Sequence, residues 1–381
     1  MHVGLVVYDG LEGASGGFRY DRRLHSHLHA NGETVEVIEL PWHDYLRALV
    51  DGLSPRVRTH LDRNVDVLLV DGLCHPSLWR HLDRLEGPDA VVALVHHLRG
   101  DDPTTRHRVV ARAFERRYLE SADAIVCTSA FTRDRARALA PGVGATRTLV
   151  APPAGRAEGA AVSPDRVDER ADEGPLRIVF VGSLIPRKDP KTVLSACARL
   201  EGVDWELTVV GSHAADPAYA ADVLACAADL GIDDRLTVTG TVSDPALAAV
   251  LERSHVCCVP SRYEAFGMAY LEAMEYGVVP IASAVGGAGE FVTDRRDGFL
   301  LEPGDDRRIA AILTRLAADR DRLASLGRTA LETARAHPTW DETLGDVRSF
   351  LRAVGGCDAD PSAGRSSVAA GSGLRGGGET R

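Results

Sequence analysis

The sequence predicts an α/β protein with two doubly wound parallel sheets facing a central cleft. Three observations carry this. The 381 residues suffice for two domains of ordinary size. Two successive series of continuous Val/Leu/Ile runs alternate with helical patterns, the mark of parallel strands covered on both faces. Between the series, from Pro152 to Pro175, the chain is rich in Ala, Pro, Gly, Asp and Glu and reads as an interdomain linker.

The elements follow in order. Val3–Tyr8 reads as a strand and leads into a Gly-rich loop from Gly10 to Gly17. A helix is expected from about Phe18 to Ala30, stopped by Asn31-Gly32. Further strands are expected at Val35–Leu40, Val65–Val70, Ala90–Val95, Ala124–Thr128 and Thr148–Ala151. The second series places strands at Arg177–Val181, Glu206–Val210, Arg235–Val238, His255–Val259 and Val278–Ala282. Helices near Thr192–Leu200, Ala218–Leu230, Pro245–Arg253 and Gly267–Tyr276 separate them, and Asp306–Ala318 and Trp340–Ala353 close the fold. The expected domains are therefore 1–151 and 176–338, joined by a linker at 152–175. A closing helix at 339–354 and a disordered tail at 355–381, rich in Gly, Ser, Ala and Arg, complete the chain.

Composition narrows the function. Hydrophobic residues at 45% and charged residues at 26% are those of a soluble globular chain. A net charge of −11 argues against nucleic acid as a partner, because phosphates need a basic excess. The seven cysteines are odd in number, form no CxxC pair and mostly sit in apolar runs, so they read as reduced core residues of a cytoplasmic protein. No basic leader precedes the first strand, and no apolar run reaches the 18 residues of a membrane span. Arg108, Arg112 and Arg116 share one helix face. That face suits either solvent or peripheral contact with the inner surface of a membrane.

Chemistry concentrates in the second half. Glu264 follows the strand ending at Val259 and so lies on a loop at a strand's C-terminal edge. Gly267 opens the next helix, where bare backbone N–H groups suit a phosphate, and Glu272 lies on its second turn. Carboxylates in such positions accept hydrogen bonds from sugar hydroxyls. Gly182 ends the second domain's first strand, and Ser183 to Lys188 lead to the next helix with a cationic pair, Arg187-Lys188. Lys188 and Lys191 are the only lysines among 44 basic side chains. His96 and His97 follow a first-domain strand. His25, His27 and His29 lie on different faces of one helix and make poor metal ligands. Asp319-Arg320-Asp321 and Asp358-Ala359-Asp360 match an Asp-x-Asp metal pattern, but stand in a late helix and in the tail.

Taken together, these segments resemble the retaining glycosyltransferases of family 4, with the GT-B fold of two Rossmann-like domains. The resemblance rests on the loop Gly182 to Lys188, the Glu-x7-Glu segment from Glu264 to Glu272, Gly286-Gly287-Ala288-Gly289-Glu290, the stretch Asp297 to Asp305, and Gly16-Gly17 after the first strand. It covers about Met1 to Leu351. It implies transfer of a hexosyl group from a nucleoside diphosphate sugar to the hydroxyl of an unknown acceptor, with no metal and no other cofactor. Glu264 would hold the donor sugar, Glu272 the ribose, and Lys188 with Arg187 the diphosphate. Backbone amides of Phe266, Gly267, Met268, Gly16 and Gly17 would contact phosphates or sugar. His96, with His97 in reserve, would stand at the reaction centre. One departure is Ser183, which stands where the family commonly carries arginine. The alternatives are a nucleotide-sugar-binding protein without turnover and an epimerase of the same fold.

Overall fold

The structure, a computed structural model, describes residues 1–13, 15–145 and 147–357. The first series of strands is β1 (His2–Tyr8), β2 (Thr34–Leu40), β3 (Val67–Asp71), β4 (Val91–Val95), β5 (Ala124–Cys127) and β6 (Arg147–Val150). They form one sheet in the order β2-β1-β3-β4-β5-β6. The second is β7 (Leu176–Val181), β8 (Trp205–Val210), β9 (Leu236–Gly240), β10 (Val256–Val259), β11 (Val279–Ser283) and β12 (Phe299–Leu301), in the order β12-β11-β10-β7-β8-β9. Every pairing within the two sheets is parallel. Wholly apolar runs such as Val91–Val95 are buried on both faces, as helix-covered sheets require.

Each sheet reverses its strand order once, between β1 and β3 in the first and between β7 and β10 in the second. Loops leaving the C-terminal ends of strands part at such a point and open a crevice. Gly16-Gly17 follow β1, His96 follows β4, the Gly182–Lys188 loop follows β7, and Glu264 follows β10. The topology thus gathers the four segments before any side chain is considered.

The segment 152–175 is not a bare linker. Ser163 caps a helix over Pro164–Ala171 by accepting from the Arg166 amide. That helix packs against Arg320–Ala336, a late helix whose bounds the sequence left open. Val167, Arg170 and Ala171 form its buried face. β12 is likewise an additional strand, three residues long and paired to β11. The closing helix Trp340–Val354 carries a full capping box at Thr339 and Glu342. It crosses back to the first domain, where Trp340, Leu344, Val347 and Leu351 share a core with Val3, Leu5 and Tyr20. Of the expected tail, 358–381 lies outside the described residues, while Gly355 and Cys357 still bond back to the last turn of that helix.

All seven cysteines are free thiols, and Cys257 and Cys258 are core residues. Asp319, read from sequence as an accidental Asp-x-Asp member, caps the Arg320–Ala336 helix through the Arg322 amide. No helix among the described residues is long and apolar enough to cross a membrane.

Candidate active site

Glu264 occupies the switch point of the second sheet. Its buried carboxylate accepts from Lys188 Nζ at 2.5 Å and from Ser261 Oγ at 2.9 Å, with Arg187 Nη1 at 3.9 Å. Burial alone would raise its pKa, but the charges of Lys188 and Arg187 and these hydrogen bonds outweigh burial and hold it below the usual carboxylate range. Burial also lowers the Lys188 pKa, and Glu264 offsets part of that. The β7 loop reaches Glu264 because two glycines let backbones touch. A Cβ on Gly211 would lie 1.9 Å from the Gly182 carbonyl oxygen. Ser183 begins the turn, its carbonyl accepting from the Ile185 amide at 2.9 Å, and Arg187 also donates to the Tyr263 carbonyl at 3.2 Å. The positive charge at this loop therefore comes from Arg187 and Lys188, with Ser183 contributing backbone and a hydroxyl.

Gly267 is left-handed, with φ +104°, and its missing Cβ makes room for the Tyr270 ring. It starts the short helix Met268–Met274. Phe266 packs its ring on Phe291 and His337, so only its backbone is left for a ligand. Glu272 is buried on the short helix and pairs with Arg19 Nη1 at 2.5 Å and Arg156 Nε at 3.1 Å. Arg19 belongs to the first domain's helix Gly16–Ala30, and Arg156 to the segment between the domains. Beside them lies a pocket of about 330 Å³ lined by Arg19, Arg22, Arg23, Arg156 and Asp244 among others. A second cleft of about 580 Å³ shares Pro186 and Asp189 with the β7 loop and carries Lys191 on its wall.

The first domain brings its own groups. A Cβ on Gly16 would meet Met268 Sδ at 2.9 Å, and one on Gly17 would meet the His96 ring at 3.3 Å, so this glycine pair fits between His96 and the second domain's helix. The two histidines divide. His96 Nε2 bonds to Asp21 Oδ1 at 2.9 Å, and Asp71 lies beside them. His97 turns towards Tyr263, with ring centroids 5.0 Å apart, and feels the charges of Arg187, Glu264 and Lys188. Burial and the Arg187 charge push its pKa down to about 3, so it is a neutral imidazole near the Lys188–Glu264 pair.

The structure thus brings Arg187, Lys188, Glu264, Phe266, Gly267, Met268, Glu272, Gly16, Gly17, His96 and Ser183 to one interdomain crevice. Sequence reasoning missed Arg19, Asp21, Asp71 and Arg156. No local motif marks them; buried charge in the helix Gly16–Ala30, whose inner face is Tyr20, Asp21, Leu24 and Leu28, was the available signal. The arginines of the helix Arg108–Glu120 lie on the surface and have partners within the domain. Arg112 pairs with Asp101, Arg116 with Glu120 and Arg117 with Asp83, and Arg108 donates to the Gly100 carbonyl.

Comparison with known proteins gives the family and the fold. Residues 163–333 match the family model described as glycosyl transferases group 1, and residues 3–154 match the glycosyl transferase 4-like domain. A GDP-mannose-dependent alpha-(1-6)-phosphatidylinositol monomannoside mannosyltransferase of Mycobacterium tuberculosis is 30% identical over 286 residues, 71% of each chain. A D-inositol 3-phosphate glycosyltransferase of Stackebrandtia nassauensis is 35% identical over 178 residues, 44% of this chain and 39% of that one. Among solved structures, sucrose-phosphate synthase from Thermosynechococcus elongatus superposes with a TM-score of 0.79 at 22% identity, covering 94% of this chain and all of that one. Anabaena HepE in complex with UDP-glucose superposes with a TM-score of 0.73 at 16% identity, covering 93% and 100%.

Proposed function

Since the chain belongs to the group 1 glycosyltransferases and has their two-domain GT-B fold, we propose that it transfers a hexosyl group, with retention, from a nucleoside diphosphate sugar to an acceptor hydroxyl. The observation that carries this is the meeting of Lys188, Arg187 and Glu264 at the β7/β10 switch point, opposite Gly16, Gly17 and His96.

In this proposal Lys188 and Arg187 take the charge that develops on the departing diphosphate, a task for preorganised cations. Backbone N–H groups from Phe266 to Met268 hold the same diphosphate. Glu264 holds the sugar hydroxyls beside the anomeric carbon and offsets the positive charge gathering there. Glu272 holds the ribose, exchanging its contacts with Arg19 and Arg156 for hydroxyl donors. The acceptor oxygen approaches on the face the diphosphate leaves, and the diphosphate takes its proton, so positioning and charge stabilisation account for the rate. No metal or further cofactor enters the scheme.

The test is a panel of nucleotide sugars including GDP-mannose and UDP-glucose, offered with inositol 3-phosphate and with phosphatidylinositol-bearing vesicles. The readouts are nucleoside diphosphate release and the anomeric configuration of the product by NMR. An α product from an α-linked donor supports the proposal; inversion, or binding without release, overturns it. Glu264→Gln is expected to lower kcat by about 10- to 1000-fold with nucleoside diphosphate affinity kept. Glu272→Gln is expected to raise donor KM and nucleoside diphosphate Kd together, on the order of tenfold.

A further inference from the structure

His96, just after β4, is flanked by the helix Gly16–Ala30 and by the end of β3. The Gly17 backbone lies against one side of its ring, and the Tyr20 ring meets it at 5.2 Å and 66°. The ring follows β4, and Asp71 ends the neighbouring strand β3. Asp21 comes from the helix Gly16–Ala30 and is fully buried. Its Oδ1 accepts from His96 Nε2 at 2.9 Å, while its Oδ2 is buried without a hydrogen-bond partner among the described residues. One side-chain nitrogen or oxygen from each of Asp21, Asp71 and His96 lies within 4.8 Å of the other two. A helix that presents a carboxylate to the domain core does so at a cost, and this one presents it to a single imidazole nitrogen.

We propose that Asp21 is a positioning residue for His96: its buried carboxylate fixes the imidazole with a proton on Nε2 and leaves Nδ1 as the ring nitrogen offered to the crevice. The proposal rests on the reading of His96 as a reaction-centre group. A carboxylate accepts and cannot donate, so the shared proton has to sit on the ring nitrogen that faces it. The same contact fixes the ring rotation, as carboxylate partners of functional histidines do in other sites. Asp71 completes the arrangement. Its Oδ1 accepts from the Leu73 amide at 2.9 Å, so the carboxyl is anchored to its own turn and does not compete for Nε2. Burial and the Asp21 charge push its pKa up to about 7, which limits the negative charge stacked behind the ring. Burial would lower the His96 pKa, and the charge and hydrogen bond of Asp21 more than reverse this.

The first measurement needs no activity. In the full-length chain labelled with 15N-histidine, with His96 assigned by its loss in His96→Ala, the ring is expected to carry its proton on Nε2. A ring protonated on Nδ1 alone overturns the proposal. In Asp21→Asn the side-chain amide can donate to Nε2, and the proton is expected to move to Nδ1. The second measurement is a double-mutant cycle on turnover of GDP-mannose or UDP-glucose, whichever the unaltered enzyme consumes. Asp21→Asn is expected to lower kcat about 10- to 1000-fold with donor KM within about threefold, by analogy with the loss from a wrong tautomer. Added to His96→Ala it should cost less than about twofold. An equal loss in both backgrounds shows that Asp21 acts through the fold and not through His96, and overturns the proposal. If neither donor is consumed, the glycosyltransferase reading is what fails, and the NMR measurement still decides the role of Asp21.

Discussion

Lys188 and Glu264 are 76 positions apart and share a hydrogen bond at 2.5 Å. In the proposed role, removing the ammonium takes a cation from the diphosphate, and it leaves the buried Glu264 carboxylate short of its partner. Lys188→Ala is therefore expected to lower kcat about 30- to 1000-fold, or about 2–4 kcal/mol of transition-state stabilisation. Lys191→Ala, whose ammonium lies 3.6 Å from Asp222 and 5.0 Å from the centre of the Tyr219 ring, should change kcat less than about twofold. Steady-state release of nucleoside diphosphate compares the two, and equal losses would count against the diphosphate assignment. Asp71 gives a pH-dependent stability effect. Its folded pKa of about 7 lies above the ordinary carboxylate value near ~4. The folded state then holds a proton that the unfolded chain has released, so Asp71 costs nothing below about pH 4 and progressively more up to about pH 7. Asp71→Asn keeps the acceptor for the Leu73 amide and is expected to stabilise the protein at pH 8 by about 1–3 kcal/mol. The gain should vanish towards pH 4, and thermal melts across that range check it. Glu264 and Lys188 were legible in the sequence because each lies on a loop after a strand that also carries a glycine, Gly267 and Gly182. Asp21 and Arg19 were not, because their meaning lies in partners 75 and 253 positions away.

The helix Pro164–Ala171 shows why an element can hide. Only Val167 and Ala171 give it an apolar face, and its remaining positions read as linker. Its anchor is Arg170, about 1% exposed, whose guanidinium donates to the carbonyls of Glu252 and Tyr276 through Nη1 and of Gly277 through Nη2. Those carbonyls end other segments of the second domain, so the arginine joins them where a hydrophobic residue could not. A charged residue inside a polar stretch offers no periodicity to find, whereas the strands announced themselves by unbroken Val/Leu/Ile runs. Burial lowers the Arg170 pKa to about 10, which still leaves it charged at neutral pH. Arg170→Ala takes the donor from three carbonyls, that of Gly277 buried and those of Glu252 and Tyr276 partly so, and is expected to lower stability by about 2–4 kcal/mol, read as a fall in the urea midpoint. An unchanged midpoint would mean that water replaces the guanidinium at little cost. The helix Arg108–Glu120 is the opposite case: its basic stripe was visible in sequence, but of the acids that pair with it only Glu120 is on the helix, while Asp101 and Asp83 come from other segments of the domain.

At the scale of the whole molecule, the segment that carries Glu264 is also a contact between the domains. Ser129 Oγ donates to the Ala265 carbonyl at 2.7 Å, one residue from Glu264. Glu290, at the end of the Gly286-Gly287 loop, accepts from the amides of Ala130 and Phe131 at 2.9 and 2.7 Å. It thereby caps the first domain's helix Ala130–Leu139 from the second domain, satisfying two N–H groups that the helix leaves open. The loop can reach that far because Gly286 and Gly287 lie flat on residues 264–266. A Cβ on Gly286 would stand 1.9 Å from the Glu264 carbonyl oxygen, and one on Gly287 would stand 2.4 Å from that of Ala265. Closure and the position of Glu264 are thus set by one stack of backbone. Glu290→Ala removes both capping bonds but touches no group assigned to the donor. These bonds are solvent-exposed, so about 1–2 kcal/mol of closure is the expected loss. The donor-free protein should then open, with a larger radius of gyration in small-angle X-ray scattering. Donor KM should rise about 3- to 10-fold, because each binding event has to supply the closure that Glu290 supplied. Once the donor is bound, the chemistry is the same, and kcat should stay within about twofold. A loss confined to kcat, with radius and KM unchanged, would show that Glu290 shapes the reaction centre directly and that the cap does not hold the domains together.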